Sequence, residues 1–374
     1  MDRPERATRL VALDVFRGAT VAGMIVVNNP GTWAHVYPPL LHAEWHGWTF
    51  TDTIFPFFLF IVGVSIAFSF GERRRQGASP GALAVHTLRR ASILFGVGLA
   101  LNLLSFAVFS RATLRIPGVL QRIAICFLAA GLIVLWLGAR GAAVAAVLLL
   151  LGYWALMGLV PVPGYGTGRL DLEGNLAAYT DRAILGAHTW KPGWDPEGPL
   201  STLPAIATTL MGILAGEWLR SGAAMRHKVT RLAAGGAAAA AVGLAWHSVF
   251  PINKNLWTSS YALFMAGLAA VLLAACIAVV DLLGWKGWAA PFRWLGTNAI
   301  AAFVLSTATT ILLLAVKTAG PDGKPRSLYA TIYRTVFDRF ADPRLGSLLF
   351  SLSYLAVWLI VFGLLYRRKI FVKI

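Results

Sequence analysis

The sequence predicts an all-α integral membrane protein, a polytopic bundle of about ten transmembrane helices in a single domain over residues 1–374. Two observations carry that prediction. Of the 374 residues, 57% are hydrophobic and only 13% are charged, with a mean hydropathy of +0.68. Such a composition is far from that of a soluble globular protein. The chain also contains roughly ten apolar runs of about 20 residues, the length that crosses the hydrocarbon core of a bilayer.

The predicted spans follow one another along the whole chain. They are Leu10–Val27, Thr53–Phe70, Ala91–Phe109, Val119–Leu137, Ala142–Val160, Thr202–Leu219, Leu232–Phe250, Ser259–Val280, Trp294–Val316 and Gly346–Tyr366. The nine residues before the first span are rich in charge, and no small-residue cleavage site follows them, so we expect this span to remain as a helix rather than to be removed as a signal peptide. Between the last two spans, "SLYATIYRTVFDRF" has apolar residues at helical spacing, which predicts an amphipathic helix.

Basic residues are concentrated in some of the connections and missing from others. Gly71–Arg90, Arg220–Arg231 and the tail "RRKIFVKI" are short and basic, whereas Asn28–Phe50 contains no Lys or Arg. Because short cytoplasmic loops collect Lys and Arg, we expect both termini to be cytoplasmic and Asn28–Phe50 to be extracytoplasmic. The net charge of +17 then reflects topology and contact with anionic lipid headgroups. No nucleic-acid-binding motif accompanies that charge, so we expect the lipid bilayer, and no nucleic acid, as a partner.

Titratable side chains cluster in the stretch "LLHAEWHGWTFTD" before the second span. A metal site is not expected there, because no cysteine accompanies His35, His42 and His46, and Gly47 disfavours the helix that the last two would need. A general base at the membrane face is the reading we favour, since an imidazole ordinarily titrates near neutral pH. Asp52 is expected to cap the second helix.

Several polar residues lie within the predicted spans, where a charge is costly and often marks a cavity. Asp14 and Arg17 are three residues apart, so they form either an ion pair or part of a ligand pathway. Arg122 is expected either to snorkel toward the interface or to contact a ligand. Asn102 and Asn298 suit hydrogen bonds between helices or, alternatively, ligand contacts. The sequence leaves these alternatives open.

Six motifs occur in a fixed order: "LDVFRG", "HAEWHGWTFTDTIFPFFLFIVGVS", "IPGVLQRI", "DPEGPLSTLPAI", "NKNLWTSSY" and "LGTNAI". Together they resemble the heparan-α-glucosaminide N-acetyltransferase family and its bacterial relatives. The resemblance implies an enzyme of the bacterial inner membrane that moves an acetyl group from cytoplasmic acetyl-CoA to the amine of a glucosamine-type sugar outside. It also implies that a homodimer is possible. The lysosomal members carry a further N-terminal domain and helix, which this sequence is expected to lack.

The resemblance also assigns residues. The family's catalytic histidine, in the motif H-A-x-W-x-G, corresponds to His42, and its asparagine after the first core helix corresponds to Asn28. Position 46 is histidine here, whereas the lysosomal enzyme has asparagine. The acceptor-binding candidates are Glu44, Trp45, Asp181, Glu197, Asn253, Asn255, Trp257 and Arg122. The candidates for binding the phosphates of acetyl-CoA are Arg17, Arg89, Arg90 and Asn298.

A different class of function is the alternative. Ten helices with polar residues inside them also suit a transporter of amino sugars or cell-wall fragments. A pure carrier has no need of acetyl-CoA, so binding of acetyl-CoA distinguishes the two.

Overall fold

The computed structural model describes residues 10–320 and 324–372, and these are mostly helical. The α-helices are α1 (Val11–Asn28), α2 (Phe50–Arg75), α3 (Pro80–Phe109), α4 (Val119–Leu159), α5 (Leu176–Leu185), α6 (Thr202–Arg220), α7 (Met225–Trp246), α8 (Ser259–Ile277), α9 (Ala290–Thr297), α10 (Ala299–Ala315), α11 (Leu328–Val336) and α12 (Pro343–Arg367). The strands β1 (Lys317–Ala319) and β2 (Pro325–Ser327) pair antiparallel. Residues 1–9 and the last two residues, which the sequence assigns to the basic side, lie outside the described part.

Within the described residues, eight helices are long and apolar enough to cross a membrane, and the bent pair α9 and α10 raises that number to as many as nine. The predicted fold class is therefore confirmed: the chain is a multi-pass, all-α membrane protein.

Helix α4 contains two of the predicted spans. Its backbone leaves helical geometry at Gly138, where φ is 65° and ψ is −170°, a conformation open only to glycine. Near one end of α4 the Arg122 guanidinium lies 5.2 Å from the Trp257 ring, and near the other end Tyr153 donates a hydrogen bond to the Leu256 carbonyl at 2.6 Å. A straight helix would separate positions 122 and 153 by about 46 Å. The helix therefore doubles back at Gly138, and its two arms correspond to the fourth and fifth predicted spans.

The predicted span Trp294–Val316 is not one continuous helix. Helix α9 ends at Thr297, α10 begins at Ala299, and the two are bent by 84°. The break lies at Asn298, whose side chain donates to the Ile370 carbonyl at 3.2 Å and accepts from the Val372 amide at 2.8 Å. Asn298 thus holds the C-terminal tail against the broken span, which a hydropathy pattern does not reveal.

Two glycines bring α1 and α9 into backbone contact. A Cβ at Gly18 would lie 1.7 Å from the Phe292 carbonyl oxygen, and one at Gly296 would lie 1.8 Å from the Asp14 carbonyl oxygen. Only glycine fits at such an approach. The contact sets Arg17 beside the break, where its guanidinium donates to the Gly296 carbonyl at 3.2 Å.

The connection Gly71–Arg90, which the sequence assigned to a loop, is largely helical. Helix α2 continues through "ERRR" to Arg75, and after a short turn α3 begins at Pro80 with Ser79 as its N-cap. Arginine is a good helix former and is favoured in the last turn of a helix, so the charges that mark a loop also extend the helix. The predicted amphipathic helix is present as α11, which packs Tyr329 and Tyr333 against Phe350.

Candidate active site

A cavity of about 610 Å³ runs through the bundle alongside α2. Its wall follows α2 from Thr51 to Arg73, a helical rise of about 33 Å, which is close to the thickness of the hydrocarbon core. One end, here called the His42 end, is lined by Asn28, His42, Thr51, Glu197 and Lys254. The other, the Arg90 end, is lined by Arg17, Ser65, Ser69, Arg73, His86, Arg90, Thr297 and Val372. The transmembrane cavity therefore joins two chemically different sites.

At the His42 end, the His42 ring is paired with a buried carboxylate. Its Nδ1 lies 2.6 Å from Oδ1 of Asp52, whose exposed fraction is 1%, whereas half of the His42 side chain is exposed. An ionised carboxylate only accepts hydrogen bonds, so the pairing assigns the ring proton to Nδ1. The Nε2 lone pair is then available to a molecule in the cavity. A general base needs this tautomer, with its proton on Nδ1.

Local geometry fixes Asp52 as well. It is the third residue of α2, and its Oδ2 accepts from the backbone amides of Ala43 and Thr49, each at 3.0 Å. The N-cap of α2 is Thr49 and not Asp52, because the two residues form a reciprocal capping box. Tyr261 further donates to the Asp52 carbonyl at 2.6 Å. The start of α2 and the loop that contains His42 are thus joined through one carboxylate.

Asn28 is the last residue of α1 and lines the same end of the cavity. Its side chain makes no hydrogen bond to another described residue, whereas the amide of the adjacent Asn29 bonds to Ile25 and Thr310. The Asn28 amide is therefore available as a donor or acceptor to a molecule in the cavity.

The "DPEG" segment contributes Glu197 to the cavity wall. Its Oε2 accepts from Arg115, which also forms a two-bonded pair with Asp195 at 2.8 and 2.6 Å. Burial by itself would raise the pKa of Glu197, but the charges of Arg115 and Lys254 outweigh it, and the pKa lies below its usual value. Lys254 lines the cavity and makes no ion pair within the described part of the chain. A carboxylate and an ammonium group thus flank the space in front of His42.

The Arg90 end is cationic. Arg17 is paired with Asp14 at 3.0 Å and donates to Ser65 Oγ at 2.8 Å. Arg90 packs over the Phe127 ring at 5.1 Å, and its Nε is buried without a hydrogen-bond partner among the described residues. Arg73 and His86 line the same region. A buried guanidinium nitrogen with no acceptor is suited to an anionic group, such as a phosphate.

Several residues assigned from the sequence lie elsewhere. Those outside the cavity lining are Glu44, Trp45, Arg89, Arg122, Asp181, Asn253, Asn255, Trp257 and Asn298. Glu44 and Arg89 are exposed, whereas Trp45 donates to the Leu170 carbonyl at 2.8 Å. Arg122 is buried, and its guanidinium donates hydrogen bonds to the Gly198 carbonyl and the Ser201 hydroxyl.

Three of these residues are enclosed in the surrounding structure. Asn253 closes its own turn through the Leu256 amide, and Trp257 lies fully buried between Phe55 and Tyr261. Asp181 accepts from the Asp195 amide, and burial raises its pKa to about 7. The structure thus brings His42, Asn28, Glu197, Arg17 and Arg90 to the cavity and leaves these nine outside its wall.

Sequence reasoning missed five residues at or beneath the cavity: Asp52 as a partner of His42, and Lys254, Arg115, Arg73 and His86. Asp52 follows His42 by only ten residues, so their pairing could have been predicted from the sequence. It was not, because Asp52 was already assigned to capping the second helix. Arg115 and Glu197 are 82 residues apart, and only the fold joins them.

Comparisons with known proteins point to one family. A family model described as heparan-alpha-glucosaminide N-acetyltransferase, catalytic, matches residues 9–251. The human heparan-alpha-glucosaminide N-acetyltransferase is 29% identical over 352 residues, which cover 79% of this chain and 52% of the human protein. The mouse protein of the same name is 29% identical over 358 residues, covering 81% and 54%. The chain spans about half the length of the curated relatives it matches.

Proposed function

The chain belongs to the heparan-alpha-glucosaminide N-acetyltransferase family, and from this membership we propose that it transfers the acetyl group of acetyl-CoA to the amine of a glucosamine-type sugar. One observation carries the proposal beyond the family name: a single cavity connects an imidazole–carboxylate pair to a cluster of arginines. A carrier would need the cavity but not this pairing of a base with an anion site.

The residues present fit acetyl-CoA. Its phosphates need cationic partners, which Arg17, Arg73 and Arg90 supply at one end. Its long arm needs an apolar passage, and the middle of the cavity is lined by Phe58, Ile61, Val62, Leu94, Phe127, Ile300 and Phe303. The thioester at the tip of that arm then reaches the His42 end, where the acceptor enters.

The chemistry follows from the tautomer of His42. Its Nε2 takes a proton from the acceptor amine as the new C–N bond forms, while Asp52 balances the charge that appears on the ring. Asn28, which lines the same end of the cavity, would donate a hydrogen bond to the oxygen that becomes negative on the acetyl carbonyl. When the C–S bond breaks, His42 returns the proton to the departing sulfur. One histidine thereby serves as base and then as acid.

Sidedness completes the proposal. The two described ends of the chain lie near the Arg90 end, because Ala12 bonds to Asp281 and Val372 bonds to Asn298 beside Arg17. The basic segment around Arg73–Arg75 lies there as well, so the positive-inside rule supports a cytoplasmic Arg90 end and an extracytoplasmic His42 end. The acetyl group would then cross a bacterial inner membrane inside the cavity.

A transfer assay tests the proposal. Purified protein is supplied with labelled acetyl-CoA and a panel of free amino sugars, chitin fragments and murein sugars, with the N-acetylated sugars as controls. We expect label on at least one free amine and on none of the controls. Binding of acetyl-CoA without transfer to any amine would contradict the proposed acceptor class.

One observation favours the carrier as a second candidate. The span formed by α9 and α10 is broken in the middle, as are the helices of many transporters. Uptake of a labelled amino sugar into proteoliposomes that contain no acetyl-CoA tests this candidate. Uptake without acetylation would support the carrier and count against the enzyme.

A further inference from the structure

Beneath the cavity wall at the His42 end lies a buried group of three charged side chains. Arg115 precedes α4, and Asp195 and Glu197 precede α6. The side chains of Asp195 and Glu197 are 0% and 6% exposed, and that of Arg115 is 18% exposed. Arg115 uses Nε and Nη2 to hold both oxygens of Asp195, and Nη2 also donates to Glu197. The bonds to Asp195 fix the fork of the guanidinium in one orientation.

The two oxygens of Glu197 have different surroundings. Oε2 is bound to Arg115, whereas Oε1 has no hydrogen-bond partner among the described residues and is not enclosed by protein. Glu197 lines the cavity that His42 also lines. One oxygen is therefore anchored to the protein, and the other is free to accept a bond from a molecule in front of His42.

Asp52 does not offer a comparable site. Its oxygens already accept from His42, from two backbone amides and from the Thr49 hydroxyl at 3.2 Å. Of the carboxylates that line or support the His42 end in the described structure, Glu197 is the one that lines the cavity and has an oxygen without a hydrogen-bond partner.

We propose that Glu197 binds the protonated amine of the acceptor through Oε1, and that Arg115 is the positioning residue that holds this carboxylate in place. The inference rests on the proposed function and deepens it, because it names the group that selects an aminated over a neutral sugar. The bound ammonium group would release one proton to water before attack, and the resulting neutral amine would lie beside His42, which takes the second proton as the C–N bond forms.

The charges around Glu197 determine how such a site responds to pH. Arg115, Lys254 and Arg122 favour the ionised form, whereas burial, the charge of Asp195 and the nearby Tyr261 hydroxyl oppose it. Asp181, which lies outside the cavity wall, accepts from the Asp195 amide, and the His42–Asp52 pair lies at the same end of the cavity. With Arg115 present the cations prevail and the pKa of Glu197 is lowered. Without Arg115, burial and Asp195 gain weight, so the pKa rises and the site loses its charge as pH falls.

Sugar binding tests this directly. The affinities of glucosamine and of glucose are measured on detergent-purified protein from about pH 5 to about pH 7, where the amine stays largely protonated. We expect the wild type to prefer glucosamine across this range. Glu197→Gln should lose about tenfold to a hundredfold in glucosamine affinity at every pH, with little change for glucose, as a charge-assisted hydrogen bond is lost.

The Arg115 variants distinguish a role in positioning Glu197 from a purely structural role. Arg115→Gln should keep part of the preference near pH 7 and lose it toward pH 5, whereas Arg115→Lys should keep it throughout. Arg169→Gln is the matched control, because Arg169 pairs with Asp171 on the exposed surface of the same long segment. It should leave both affinities unchanged. Binding of acetyl-CoA reports whether each variant is folded.

The outcomes are distinct. A Glu197→Gln protein that still prefers glucosamine would overturn the inference, as would a wild type that binds glucosamine and glucose alike. If Arg115→Gln lowered the affinities for glucosamine and for glucose equally at every pH, the role of Arg115 would be structural only. If that variant does not fold, Glu197→Gln still tests whether Glu197 binds the amine. Arg115→Lys then tests whether the positive charge at position 115 is required. A wild type that prefers glucosamine but never acetylates it would contradict the proposed function and leave this site standing.

Discussion

The Nδ1 atom of His42 lies 2.6 Å from Oδ1 of Asp52, and the same carboxylate closes the capping box that begins α2. The residue that starts the second helix therefore also sets the tautomer of the proposed base. Any displacement of the start of α2 would move the imidazole, so the position of His42 depends on this capping box.

Replacing Asp52 should separate its two roles. Asp52→Asn can offer an N–H to His42 and favour the wrong tautomer, so we expect the transfer rate to fall by ~10²–10⁴-fold. Thr49→Ala removes the N-cap side chain but keeps the His42–Asp52 pair, so it should lower stability by about 0.5–2 kcal/mol and leave most of the rate. Initial rates and melting temperatures of both variants check this. Equal rates in Asp52→Asn and wild type would contradict the role of the carboxylate.

Adjacent arginines on α3 provide an internal control for donor binding. Arg90 lines the cavity and has a buried Nε without a hydrogen-bond partner among the described residues, whereas Arg89 is exposed and lies outside the cavity wall. We expect Arg90→Gln to raise the KM for acetyl-CoA about tenfold to a hundredfold, because a charged contact to phosphate is lost. Arg89→Gln should leave the KM nearly unchanged. Equal effects of the two substitutions would indicate general surface charge rather than a phosphate site.

His46 is expected to be dispensable. Burial and the charge of His247 lower its pKa, so it is uncharged at neutral pH, and its Nδ1 faces the Asn253 amide at 3.4 Å rather than His42. His46→Asn should therefore retain most of the turnover and keep the wild-type pH profile between about pH 6 and pH 8. A profile that loses an ionisation in this variant would mean that His46 takes part in proton transfer.

Cysteine labelling tests which end faces the cytoplasm. Ala34 and Gln76 are both exposed and lie in the connections on opposite sides of α2. In intact cells, an impermeant thiol reagent should label Ala34→Cys and not Gln76→Cys. Wild-type protein, whose Cys126 is buried and whose Cys276 is partly buried, serves as the background. The reverse pattern would exclude supply of acetyl-CoA from the cytoplasm.

Much of the fold was predictable because apolar length is a local property of the sequence. Nine of the ten predicted spans correspond to single helices or helix arms, with α4 supplying two of them across Gly138, whereas Trp294–Val316 is divided between α9 and α10. The break at Asn298 was not predictable, since it depends on hydrogen bonds to a tail 72 and 74 residues away. At the site, motif resemblance pointed to His42 and Asn28, and both line the cavity. Arg115 remained hidden because its charge is meaningful only beside Asp195 and Glu197, which the fold brings to it.

The most direct test of the account is the rate of labelled acetyl transfer by His42→Ala, measured together with acetyl-CoA binding on the same preparations. Losing a positioned general base costs ~10²–10⁴-fold, so we expect transfer to fall by that factor while acetyl-CoA binding and melting temperature stay close to wild type. His35→Ala, in the same loop but outside the cavity lining, should behave as wild type. Near-normal transfer by His42→Ala would contradict the account.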